Sequence, residues 1–250
     1  MKSKILTIFF LLLFLSGAGR LGYYEFQQYQ SAKISEEMKE AVSEGEKHPI
    51  IEKSEKNILP QFTELYEQNS EFAGWLQIED TVIDYPVMKP KEDNNFYLTH
   101  GADGSSNQLG AIYMDVASDL ESTSTNWILY GHNFKNGSMF GSLKKYKDEK
   151  YYATHPTIKF DTLYEEGIYE IIAVFPSKVY RKDEDIFKYY KYTTIQSEEE
   201  FQEYVSNIKE LSMYEIPSTA VYGDALLTLS TCDEWTENGR IAIVAKKTEK

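Results

Sequence analysis

The chain has 250 residues, with 26 Lys and Arg against 40 Asp and Glu, and its net charge of -14 argues against nucleic acid as a partner and reads as solubility. Its 20 Tyr and 13 Phe supply ample apolar area, and the length suits one domain of about 200 residues behind a leader. Cys232 is the sole cysteine, so no intramolecular disulfide forms and an exported domain must rest on its own core.

At the N-terminus, Lys2 and Lys4 precede an apolar stretch from Ile5 to Leu15 that continues through Ser16-Gly17-Ala18-Gly19 to Arg20. The stretch is short for a span of about 20 residues, although Leu21 to Tyr24 extend it if Arg20 snorkels to the interface. A cleaved signal and a retained membrane anchor therefore both stand for residues 1–24. Positive charge on the short N-terminal flank places the rest outside the cytoplasm. Residues 25–58 are rich in Glu, Lys, Gln and Ser, and their sparse apolar positions Ile34, Met38 and Val42 suit a surface helix or tether. A compact domain is expected over 59–250.

Within that domain Phe62, Leu65 and Tyr66 have helical spacing. Trp75 to Ile78 and Thr81 to Val87 read as strands split by a Glu79-Asp80 turn, and further strands are predicted at 111–114, 126–130, 157–160 and 167–175. Ser197 followed by Glu200 is a capping-box pattern, and Phe201, Tyr204, Val205 and Ile208 then recur at helical spacing. One helix placed after several strands and before two final ones suits an α+β fold or a decorated barrel better than a βαβ repeat.

Cys232 closes the apolar run Leu226 to Thr231 just before the polar loop Asp233 to Gly239. Arg240, one of three arginines, opens the next β-like run, Ile241 to Ala245. Paired as a hairpin, the two runs set thiol and guanidinium side by side. A buried, inert cysteine is the plain alternative. Among the four histidines, His48 sits in the tether, His100 precedes a Gly-rich loop and His155 precedes Pro156. His132 instead emerges where the apolar strand Trp127 to Tyr130 gives way to a loop, a common setting for catalytic groups; its plain alternative is a turn histidine. A cysteine attacks as thiolate, a state favoured by a nearby His or Arg. A histidine protonates the leaving amine, and Arg240 has the donors to hold an oxyanion; otherwise it pairs with Asp233 or Glu234. One Cys and scattered His lack ligand spacing, and the acidic loops show no EF-hand pattern, so neither a metal nor any other cofactor is expected.

Thr228-Leu229-Ser230-Thr231-Cys232 with Arg240, and Leu129-Tyr130-Gly131-His132-Asn133 about a hundred residues earlier, resemble the signatures of sortases, the membrane-anchored cysteine transpeptidases of Gram-positive bacteria. Phe72-Ala73-Gly74-Trp75-Leu76, Ile83-Asp84-Tyr85-Pro86-Val87, Asn94-Asn95-Phe96-Tyr97-Leu98 and Gly110-Ala111-Ile112-Tyr113-Met114-Asp115 look like class B segments, as does a long helix before the cysteine strand. The likeness covers roughly residues 60 to 248. It implies a mostly β fold, an eight-stranded barrel with N-terminal helices and one long helix inserted before the last two strands. It implies Cys232 as nucleophile on the carbonyl after Thr in a C-terminal sorting signal of a secreted protein, with His132 as acid and base and Arg240 holding substrate and oxyanion. The signal would be of Asn-Pro-x-Thr or Leu-Pro-x-Thr-Gly type, and the acceptor an amine of the peptidoglycan cross-bridge or its lipid-linked precursor. By the same likeness Asn94 and Leu98 line the peptide groove, Ser230 sits beside the thiol, and Ile186 and Phe187 form a wall. A pilin-polymerising sortase, a cysteine endopeptidase with water as acceptor and a non-catalytic surface binding domain are the rival readings.

Overall fold

Strands buried on both faces read as unbroken apolar runs, and β7 (Leu226–Cys232) and β8 (Gly239–Lys247) are of this kind. A computed structural model of the chain describes residues 2–45, 57–120, 125–233 and 237–248. It closes these strands into a barrel with β1 (Phe72–Gln77), β2 (Asp84–Met88), β3 (Ile112–Met114), β4 (Asn126–Tyr130), β5 (Thr157–Thr162) and β6 (Ile168–Lys178). The order around the barrel is β1-β2-β3-β4-β7-β8-β6-β5. Pairing is antiparallel except between β2 and β3 and between β4 and β7. The eight-stranded barrel expected from the sequence is thus present, with helices before it and one before its last two strands.

Alternation sorts the side chains. Leu227, Leu229, Ile241 and Ile243 fill the barrel with Leu76, Val87, Ile112, Leu129, Phe160 and Ile171. Leu226, Ala242 and Val244 point outward, where Phe201, Tyr204, Val205 and Ile208 of α4 (Glu198–Leu211) cover them. The expected capping box is in place: the Ser197 hydroxyl accepts from the Glu200 amide at 3.1 Å, although the Glu200 carboxylate reaches back to the amide of Gln196 rather than of Ser197. Beneath the helix, buried Asn126 donates to the Tyr192 carbonyl at 3.0 Å and accepts from the Thr228 hydroxyl at 2.9 Å, so the polar side chains on this apolar face are satisfied.

Two strands depart from expectation for local reasons. β2 begins at Asp84 rather than Thr81, because the Thr81 hydroxyl donates to the Ile78 carbonyl and accepts from the Ile83 amide, a turn that competes with the ladder. β6 runs on through Pro176 to Lys178. There it pairs only with β8, since β5 reaches no further than Glu170, and an unpaired flank tolerates the missing N–H. A short helix, α3 (Glu149–Thr154), was not expected; its signal is Asp148, whose side chain caps the amide of Lys150.

The leader and the described part of the tether form one helix, α1 (Lys2–Gly45), about 66 Å long at 1.5 Å per residue. Its second half lies on the barrel. Met38 and Val42, picked out by spacing, pack against the cluster of Phe62, Leu65 and Phe72, with Leu65 on α2 (Thr63–Gln68). Lys39 pairs with Asp84, whose other oxygen accepts from the Trp75 indole at 2.7 Å.

Candidate active site

Strand register brings the three motif residues near one another. In the β7–β8 ladder Cys232 stands opposite Arg240, as the hairpin expectation required. In the parallel β4–β7 ladder Tyr130 stands opposite Ser230, and the Thr231 hydroxyl donates to the Gly131 carbonyl at 2.7 Å. Continued by two residues, this register sets His132 beside Cys232. Side chains at equal register on neighbouring strands share a face, so thiol and guanidinium lie side by side across β7 and β8, and His132 follows two residues beyond the end of β4. Cys232 is exposed; a buried structural thiol does not describe it.

Each member is held by main-chain geometry. The His132 Nε2 lies 2.8 Å from the Leu98 carbonyl. A carbonyl only accepts, so Nε2 carries hydrogen and Nδ1 is left to take up or give a proton. The loop bearing Leu98 comes close because Gly110 sits behind it with φ of +65°. A Cβ there would lie 2.4 Å from the Tyr97 carbonyl oxygen and 3.2 Å from the imidazole. The Arg240 guanidinium donates from Nη1 to the Gly239 carbonyl at 2.9 Å. The Cys232 carbonyl accepts from the Asn133 side chain at 2.7 Å, tying the cysteine strand to the loop after His132. Asp233 forms an ion pair with Lys147 at 2.5 Å, and Glu234 lies outside the described residues.

Around these residues the wall is aromatic. Burial raises the Tyr113 phenol and Asp115 adds to it, while Arg240 pulls the other way. Burial pushes the Tyr189 phenol up to about 12, with Ser230 and Arg240 opposing. Its oxygen lies 2.6 Å from the Ser230 hydroxyl. An exposed thiol paired across the ladder with a guanidinium, with an imidazole just beyond the neighbouring strand, is an arrangement able to attack an acyl carbon.

The other predicted residues are placed as follows. Asn94 spends both ends of its amide inside the fold, donating to Asp115 at 3.2 Å and accepting from the Val116 amide at 2.8 Å. Leu98 is half-buried and meets His132 through its carbonyl. Ser230 is fully buried beneath Tyr189. Phe187 turns its ring to Tyr192 and Tyr204 of the α4 layer, and Ile186 is exposed. His100 stacks on Phe96 and His155 on Tyr151; His48 lies outside the described residues. Sequence reasoning missed Tyr189 and Asn133 as parts of the site. Asn133 stood in the quoted motif, whereas Tyr189 meets Ser230 across 41 residues, a contact with no local signal.

Residues 76–248 match the sortase domain family. The chain is 31% identical over 249 residues to sortase B of Listeria monocytogenes, covering 99% of this chain and 97% of that protein. Its fold is similar to sortase B from Bacillus anthracis in complex with AAEK1, at 35% identity and TM-score 0.73, covering 90% and 99% of the two chains. It is also similar to the Staphylococcus aureus sortase B-substrate complex, at 25% identity and TM-score 0.75, again covering 90% and 99%. Barrel, inserted helix and matching sequence agree: the chain belongs to the sortase family of cysteine transpeptidases and sides with its class B members.

Proposed function

We propose that Cys232 is the nucleophile of a transpeptidation in which His132 moves the proton and Arg240 holds the developing charge. The pairing of Cys232 with Arg240, with His132 two residues beyond the β4 end that pairs with Ser230, supports this reading. The thiolate attacks the carbonyl carbon after Thr in a C-terminal sorting signal of Asn-Pro-x-Thr or Leu-Pro-x-Thr-Gly type, and Arg240 donates to the oxyanion. His132 gives its proton to the departing amine nitrogen, leaving a thioester on Cys232. An amine of the cell-wall cross-bridge or of its lipid-linked precursor then attacks the thioester, His132 takes the amine's proton, and the thiolate leaves. With water in place of the amine the same steps are hydrolysis.

Residues 1–24 anchor the enzyme as a single span with the catalytic domain of residues 59–250 outside, and residues 25–58 join the two. The apolar first half of α1, which the barrel leaves uncovered, supports this topology. The full chain in detergent, given quenched-fluorescence peptides of both signal types with and without a cross-bridge amine, tests the chemistry. Cleavage, a thioacyl adduct on Cys232 by mass spectrometry and amine-dependent ligation are expected. Cleavage that survives Cys232→Ala would overturn the mechanism, and ligation to a pilin lysine in preference to the cross-bridge amine would overturn the acceptor.

A further inference from the structure

Helix α1 records, along its length, the height of each part of the barrel above its apolar segment. Gln27 meets the barrel low on the helix: its carbonyl accepts from Asn107 at 3.4 Å, and it is buried between exposed Phe26 and half-buried Gln28. Next come Gln28 to Glu36, which line a cleft of about 310 Å³ with Tyr85, Leu109, Phe134, Asn136 and Ser138. Higher still, Lys39 meets Asp84, and Met38 and Val42 meet Leu65 and Phe62. The loop 99–110 climbs this column: Ala102 and Asp103 lie high, beside Met38, Ala41 and Gln68, whereas Asn107 and Leu109 lie low with the loop 133–138, and these two loops bracket His132. The first supplies the Leu98 carbonyl at its root and Gly110 against the ring, and the second supplies Phe134, whose ring centre is 5.4 Å from that of His132.

The apolar segment ends just below. From Ile5 to Tyr24 a helix extends about 30 Å, the thickness of a bilayer core. Tyr23 and Tyr24 close this segment and Phe26 and Tyr29 follow, all four exposed, the placement expected of an aromatic belt at a lipid–water boundary. Asn107 touches α1 three residues beyond Tyr24, a rise of about 4.5 Å. The loops also suit lipid in charge. In a chain that is 26% charged and strongly acidic, residues 105–109 and 133–138 carry only Lys135, so they bring no repulsion to an anionic surface.

We infer that the bilayer surface is itself a docking partner of the catalytic domain, meeting it at residues 105–109 and 133–138 and holding the His132 side of the cleft against the lipid headgroups. This rests on the proposed single-span topology.

The test uses the full chain with Cys232→Ser, reconstituted in phosphatidylcholine–phosphatidylglycerol vesicles and labelled with bimane at one new cysteine. Positions 14, 136 and 67 sample the apolar segment, the foot of the barrel and its top, through Phe14→Cys, Asn136→Cys and Glu67→Cys, all exposed sites. Nitroxide lipids labelled in the tail should quench position 14. Lipids labelled at the headgroup should take most of the fluorescence from position 136 and leave position 67 bright. Quenching at 14 with 136 as bright as 67 would overturn the docking while sparing the anchor. No quenching at 14 would overturn the anchor and the docking together.

Discussion

The Asn133 side chain makes one short bond, to the carbonyl of the residue that carries the thiol. A neutral hydrogen bond of this kind contributes about 1 kcal/mol, so as a positioning residue Asn133 should act on kcat rather than on folding. Asn133→Ala removes the donor without adding a charge beside the thiol. It is expected to lower kcat roughly fivefold with KM and the thermal midpoint little changed, as steady-state kinetics beside calorimetry would show. An equal loss in KM would mean that the residue contacts substrate instead. Arg240 makes a stronger demand. Its guanidinium is steered by the Gly239 carbonyl, a geometry that an ammonium does not reproduce. Arg240→Ala should cost roughly a hundredfold in kcat, and Arg240→Lys should recover only part of it. Full recovery by lysine would reduce the role to bare positive charge.

At the scale of elements, α4 is held on its strands by more than its apolar stripe. Lys209, in its last turn, turns its amine inward to the carbonyls of Ile172, Ile216 and Ser218, and burial pulls its pKa below the usual lysine value. Lys209→Met keeps the stem and strands three acceptors; a destabilisation of about 1–3 kcal/mol is expected, read as a lower urea midpoint at unchanged slope. Such a staple was invisible in the sequence, where a lysine near a helix C-terminus only signals favourable charge. What was legible is what local pattern controls: β4 at 126–130, the capped helix after Ser197, and the hairpin that pairs Cys232 with Arg240. Contacts made across the barrel were not. Asn94 and Ser230 could be named, yet their partners Asp115 and Tyr189 follow only from closure of the sheet. The end of β6 depended in turn on where β5 stopped pairing.

Over the whole molecule, closure of the barrel buries phenols whose oxygens have few places to go. Burial raises the pKa of Tyr97, Tyr130, Tyr146, Tyr169, Tyr189 and Tyr204 above the ordinary value of 10, with Tyr189 pushed to about 12. These six lie on the barrel interior, the α4 layer and the α1 side alike, so no single element releases them. A group whose pKa is raised by folding stabilises the fold fully below its unfolded value, and that stability is lost as pH rises through the folded value. Each such tyrosine thus removes about 1.4 kcal/mol per pH unit once the solution passes pH 10. Several acting together exceed the few kcal/mol by which a domain is stable. Between pH 10 and 12, absorbance at 295 nm should rise in two stages, first from exposed phenols and then in one cooperative step that coincides with loss of the barrel's circular dichroism. A smooth single titration with the dichroism intact would show that these phenols reach solvent without unfolding, and the barrel would then be looser than its packing requires.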